Sequence, residues 1–131
     1  MRTSKHLCTP FIFLLILLAC SGPGTPEQTP AAKTGPTVQQ LAWKKIGEGA
    51  LLIDVRTLAE FKQAHLEGAG NIPFDQIEKR VAELGDDKNR PIVVYCHSGN
   101  RSSIARKTLL KLGFTEVIDG GGFQSMLRAR E

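Results

Sequence analysis

Seven consecutive residues, Cys96-His97-Ser98-Gly99-Asn100-Arg101-Ser102, place a thiol, a glycine, a guanidinium and two hydroxyls in one short stretch. If that stretch wraps around the sulfur, its backbone N–H groups form an anion-binding nest. A helix opening near Ser102 adds the positive end of its dipole. Gly99 permits a backbone angle that a side chain would forbid, and Arg101 brings a full positive charge to the rim. All four favour thiolate over thiol, and thiolates in such places have pKa values of about 3.5–7.5 instead of 8.5. The chemistry is therefore nucleophilic: Cys96 as the attacking atom, with His97, Ser98, Gly99, Asn100, Arg101 and Ser102 as the residues that hold its substrate.

Such a loop needs a rigid strand to carry it. Pro91-Ile92-Val93-Val94-Tyr95 is the best strand in the chain, β-branched and uninterrupted, with proline only at its start. Cys96 follows at its carboxyl end, where open parallel sheets bind their ligands. Ser102 is expected to cap a helix running to Leu112, stopped by Gly113. Leu51 to Val55 is a second short apolar run, read as a buried parallel strand. Thr57-Leu58-Ala59-Glu60 has the form of a capping box, Ala69 to Ile72 predicts a short strand, and Ile77 to Leu84 has helical spacing. Phe114 to Ile118 predicts a last strand, and Gly120-Gly121-Gly122 leads into a terminal helix. Near the start, Thr37 caps a helix whose Val38, Leu41 and Ile46 stripe reads as core. Strands alternating with helices predict a parallel sheet covered on both faces.

The first residues belong to something else. Arg2 and Lys5 precede an unbroken apolar run, Phe11 to Ala19, shorter than the roughly 20 residues a membrane-spanning helix needs and fitting a signal peptide. Leu17-Leu18-Ala19-Cys20 resembles the bacterial lipoprotein lipobox, which implies cleavage before Cys20 and acylation of its thiol. The expected organisation is a signal peptide over 1–19, a lipidated and flexible Pro/Gly/Thr tether over 20–36, and one domain over 37–131. Ser21, following the cysteine, favours the periplasmic face of the outer membrane in a Gram-negative envelope. Acyl chains at about 0.8 kcal/mol per buried CH₂ would make the bilayer a lasting partner. Of three cysteines, Cys8 leaves with the signal and Cys20 is acylated, so Cys96 has no partner for a disulfide, a CxxC pair or a Cys₄ zinc site. Setting aside Arg2 and Lys5 leaves 15 basic against 13 acidic residues, with no basic run, so nothing points to nucleic acid.

Cys96-x-x-Gly99-x-Arg101-Ser102 after a strand resembles the active-site loop of the rhodanese family. Leu52-Ile53-Asp54-Val55-Arg56 with Glu60-Phe61, then Asn71-Ile72-Pro73, then Val117-Ile118-Asp119-Gly120-Gly121 resemble its other signatures in the family's order, so the resemblance covers residues 37–131. It implies an α/β fold, a rhodanese-like open parallel sheet of about five strands with helices on both faces. It also implies sulfur transfer through a Cys96 persulfide, from a small donor (thiosulfate or a persulfide) to a thiol or cyanide acceptor, with no metal and no organic cofactor.

Other residues divide between site support and ordinary structure. Asp54 and Arg56, with Glu60, read either as an ion network bracing the site or as capping and surface pairing. His65 stands where the family often has a histidine, and a structural role bonding the loop backbone is favoured over a catalytic one. Two other functional readings stay open. One is a non-catalytic rhodanese-like binding or sensing module at the envelope. The other, a cysteine-dependent phosphatase or arsenate reductase, is disfavoured because those enzymes place five residues between Cys and Arg and this loop has four, His97 to Asn100.

Overall fold

The computed structural model describes residues 35–130. The signal peptide, Cys20 and nearly all of the tether lie outside the described residues. Four strands form one sheet in the order β2-β1-β3-β4, all neighbours parallel: β1 (Leu51–Asp54), β2 (Gly70–Asn71), β3 (Ile92–Cys96) and β4 (Val117–Gly122). The sheet thus has four strands among the described residues where about five are expected. Around it run α1 (Val38–Gly47), α2 (Leu58–Gln63), α3 (Ile77–Arg80) with a 3₁₀ turn at Val81–Leu84, α4 (Asn100–Lys111) and α5 (Phe123–Arg128).

Strand periodicity sorts the core into two clusters. Ile53 and Val55 of the first run, with Ile92, Val94 and Cys96 of β3, face one side and pack with Ile77, Ala105, Leu109 and Phe114. Leu52, Val93 and Tyr95 face the other side, against Ala42, Leu66 and Met126. Every residue of β3 is buried, as expected of a central parallel strand covered on both faces. Strand order reverses between β1 and β3, each followed by a connection to opposite sides of the sheet. Their carboxyl ends, with Asp54 opposite Tyr95, make the crevice where open α/β sheets place ligands.

Three expectations are corrected. The last strand is Val117–Gly122, three residues later than read. Gly113 turns the chain at positive φ and the Phe114 N–H bonds back to the Leu109 carbonyl at 3.1 Å, so Phe114 seals the end of α4 and is buried there. Helix α4 opens at Asn100, not at Ser102, because Gly99 in the left-handed region (φ 105°) takes the capping position. The α1 stripe is also rotated: Val38 and Leu41 are exposed, and Ala42 with Trp43 and Ile46 faces the core. Trp43 donates its indole N–H to the Met126 carbonyl at 2.7 Å, which fixes that rotation.

Candidate active site

Cys96 ends β3, so the alternation of that strand aims its side chain at the α3–α4 face. The chain then turns back in three residues and enters α4. Gly99 makes this possible through its positive φ, and its own N–H donates to the Cys96 sulfur at 3.0 Å. Ser102 is fully buried one turn into the helix. Its hydroxyl donates to the Gly99 carbonyl at 2.9 Å and also lies within reach of the sulfur. Burial pushes the Cys96 thiol up, but hydrogen bonds from the Ser102 backbone and hydroxyl and from the Gly99 and Ser98 amides outweigh it. The net result is a pKa below the ordinary thiol value. Cys96 is the free cysteine of the described residues.

The loop sits on a floor of glycine. A β-bulge shifts the β3–β4 register, pairing Val94 with Asp119 and Tyr95 with Gly121, so that Gly120 is the extra residue. The end of β4 therefore passes directly against the cysteine loop. A Cβ on Gly122 would stand 2.9 Å from the His97 carbonyl oxygen, and one on Gly99 3.7 Å from the Gly121 Cα. The run that reads as a turn in the sequence is strand, and its missing side chains are what let two backbones meet.

Arg101 does not stand free at the rim. Both of its terminal nitrogens donate to Glu60, at 2.7 and 2.8 Å. Glu60 is the capping-box residue of α2 and also accepts from the Thr57 N–H (3.1 Å) and hydroxyl (2.9 Å). The Arg101 hydrogen bonds, working against partial burial and helped by Thr57, hold the Glu60 carboxyl down at about 2. Asp54 and Arg56 form a separate pair. The Arg56 guanidinium contacts both Asp54 oxygens at 2.6–3.0 Å and the Ala64 carbonyl at 2.6 Å. It lies 4.7 Å over the Phe123 ring and 5.8 Å from that of Tyr95. Asn71 seals the turn by donating to the Asp54 and Arg56 carbonyls. What reads as one network in the sequence is two ion pairs.

His97, Ser98 and Asn100 are exposed along the loop. His65 is exposed as well, stacked on Phe61 at 4.0 Å with its Nδ1 2.9 Å from the Phe61 carbonyl. Its partner is helix α2, and the cysteine loop is not among its bonds. Among the described residues, no three histidine, cysteine or carboxylate side chains gather as a metal site would require. A cleft of about 390 Å³ touching Thr57, Asn71, Pro73 and Arg80 offers no nucleophile. Glu60 as the clamp of Arg101 is the functional contact that sequence reasoning left unassigned. The capping box shows that Glu60 is fixed, but nothing local shows what it holds.

Comparison with known proteins agrees with this geometry. The rhodanese-like domain family matches residues 38–127. The chain is 38% identical over 74 residues to thiosulfate sulfurtransferase PspE of Escherichia coli K12, covering 56% of this chain and 71% of that one. It is likewise 38% identical over 72 residues to a sulfurtransferase of Allochromatium vinosum, covering 55% of this chain and 65% of that one. Among solved structures, a rhodanese with anions from E. coli superposes with a TM-score of 0.56 at 36% identity, over 59% of this chain and 91% of its own. The human single-domain sulfurtransferase TSTD1 shares the fold with a TM-score of 0.59 at 24% identity, over 72% and 96%.

Proposed function

Because the chain belongs to the rhodanese-like family, we propose that it is a sulfurtransferase in which Cys96 carries the sulfur as a persulfide. The observation that carries this reading is the buried Cys96 sulfur receiving the Gly99 N–H at 3.0 Å in a loop that opens a helix. Such a cradle stabilises anionic sulfur and leaves little room for a larger group. With thiosulfate, the thiolate attacks the outer sulfur; the new bond is Cys96 S–S, the old S–S bond breaks, and its electron pair leaves with sulfite. The persulfide anion then presents its terminal sulfur to a thiolate or cyanide, which takes it and returns Cys96 as thiolate. The loop N–H groups serve both states, so they stabilise charge wherever it sits on the two sulfurs. Relatives that bear the sulfurtransferase name support the reaction class.

The test is thiocyanate formation from thiosulfate and cyanide, with Cys96→Ser alongside, and the mass of Cys96 after exposure to donor alone. Transfer that vanishes in the variant, with a gain of one sulfur on Cys96, is the expected result. A folded protein that neither gains sulfur nor forms thiocyanate would instead be a binding or sensing module.

The envelope location rests on the sequence run Phe11 to Cys20. It places the domain on a tether at a bilayer surface, with the periplasmic face of the outer membrane as the site in a Gram-negative cell. Labelling with an alkyne fatty acid is expected to mark the native protein, and Cys20→Ser to abolish the label and release the chain from membranes. Label retained in Cys20→Ser would sink the anchor.

A further inference from the structure

The charges around the cysteine loop cancel in pairs. Arg101 is the one arginine of the loop, and both of its terminal nitrogens are spent on Glu60. Arg56, the other arginine near the carboxyl ends of β1 and β3, is buried against Asp54. Glu60 cannot swing away easily, because the Thr57 N–H and hydroxyl hold the same oxygen that faces Arg101. The capping box at the start of α2 thus presets a carboxylate against the loop's cation. What remains to hold an anion is the set of loop N–H groups and the start of α4, worth about half a unit of positive charge. That is enough for one anionic sulfur and poorly matched to several charges at once.

The two donor classes differ in how much charge they bring. A thiolate meeting thiosulfate gathers three negative charges, and the departing sulfite carries two of them. A hydropersulfide brings none in its protonated form: Cys96–S⁻ + R–S–SH gives Cys96–S–SH + R–S⁻. One S–S bond forms on Cys96, one breaks, and the electron pair leaves on the donor's own thiolate. The total charge in the site stays at one throughout.

Building on the sulfurtransferase reading, we propose that Glu60 sets donor choice: by neutralising Arg101 it turns the site away from dianionic thiosulfate and toward hydropersulfides of small thiols. Glu60 acts through Arg101 and touches no reacting atom, so it is a positioning residue with a charge role. The shape of the loop and its N–H donors serve either donor alike, and the difference between them is electrostatic.

Glu60→Gln separates charge from structure, because glutamine preserves the capping box and still accepts a hydrogen bond from Arg101. The native-length mature protein and this variant are compared with thiosulfate and with cysteine hydropersulfide as donors, cyanide being the acceptor in both arms. A thermal melt beside the assay confirms that the variant is folded. Hydropersulfides are intrinsically the more reactive donors, so the decisive quantity is the change in the ratio of the two kcat/KM values. Removing one negative charge a few ångströms from the donor is expected to raise the thiosulfate-to-hydropersulfide ratio about tenfold, through KM, with the gain shrinking as salt rises. A ratio that moves less than about twofold, or a gain carried by kcat and indifferent to salt, overturns the proposal while leaving sulfur transfer intact. Transfer from neither donor in the wild type would overturn the sulfurtransferase reading itself, and this proposal with it.

Discussion

The exits of β1 and β3 lie side by side on one edge of the sheet, Asp54 opposite Tyr95, yet they treat charge in opposite ways. At the β1 exit a carboxylate and a guanidinium close on each other out of solvent, two residues apart, with an aromatic ring beneath the cation. Every polar group there is used up. At the β3 exit the backbone N–H groups converge on a sulfur atom, while the only full cation of the loop goes to a carboxylate 41 residues away. That exit keeps its hydrogen-bonding capacity for whatever charge the sulfur carries. One exit is built to be stable and the other to be available, and the same sheet edge supports both.

Breaking the β1 exit should cost the most. Arg56→Met leaves the fully buried Asp54 carboxylate without its counter-ion, and removing one partner of a buried pair costs about 3–5 kcal/mol. Against a total stability of about 5–15 kcal/mol this is a large fraction. Urea unfolding is expected to show the midpoint falling at an unchanged slope. A loss below about 1 kcal/mol would mean that water reaches the pair, and the contrast between the two exits would be weaker than drawn.

Gly122→Ala addresses the β3 exit through shape. The new Cβ would stand 2.9 Å from the His97 carbonyl oxygen, and that atom is backbone, so the loop must move. Displacement of a catalytic group by about 1 Å can cost about 10²-fold. We expect a fall of that order in sulfur transfer, with a melting temperature lowered far less than in Arg56→Met. Full activity in this variant would show that the glycine floor is not what sets the loop.

These contacts mark where the sequence is legible and where it is not. β3 and the Thr57–Glu60 box are readable because they depend on neighbours: an unbroken apolar run in one case, a three-residue spacing in the other. The cysteine loop is readable because Cys96, Gly99, Arg101 and Ser102 lie within one turn of chain. Ser102 misleads for the same local reason: it is a residue type that caps helices, but Gly99 adopts the left-handed conformation first and starts α4 early. Val38 and Leu41 mislead because an apolar stripe does not say which side of it faces the sheet; the Trp43 bond to the Met126 carbonyl decides that, 83 residues away. Gly120 to Gly122 look like a turn because glycine serves turns and close approaches equally, and only the bulge against Tyr95 tells them apart. The Glu60–Arg101 clamp has no local signature at all.

Ser102→Ala sharpens the β3 side more finely. It removes a hydroxyl that closes the loop onto the Gly99 carbonyl and lies within reach of the thiolate. Methyl for hydroxyl leaves the packing nearly unchanged, so the loss is a hydrogen bond to an anion, worth about 1.5 kcal/mol, or roughly tenfold in rate at neutral pH. The Cys96 pKa is expected to rise, and the acidic limb of the rate profile to move up with it. A rate loss without that movement would assign Ser102 to loop shape alone.

The smallest effect tests the link between the two exits, since α2 leaves β1 and its Glu60 reaches the loop of β3. The Glu60 carboxyl is held at about 2, against an ordinary value of 4.5, so the folded state binds this proton less readily than the unfolded one. Its contribution to stability is therefore complete above pH 4.5 and is lost as pH falls towards 2. The pair is partly open to solvent, with side-chain exposures of 27% for Arg101 and 30% for Glu60, and screening keeps such pairs to about 1 kcal/mol or less. The stability gap between wild type and Glu60→Gln is thus expected to be small at neutral pH and to close between pH 4.5 and 2. A gap that persists unchanged at pH 2 would mean that Glu60 supports the fold through its cap on α2, and that the charge facing Arg101 contributes nothing to it.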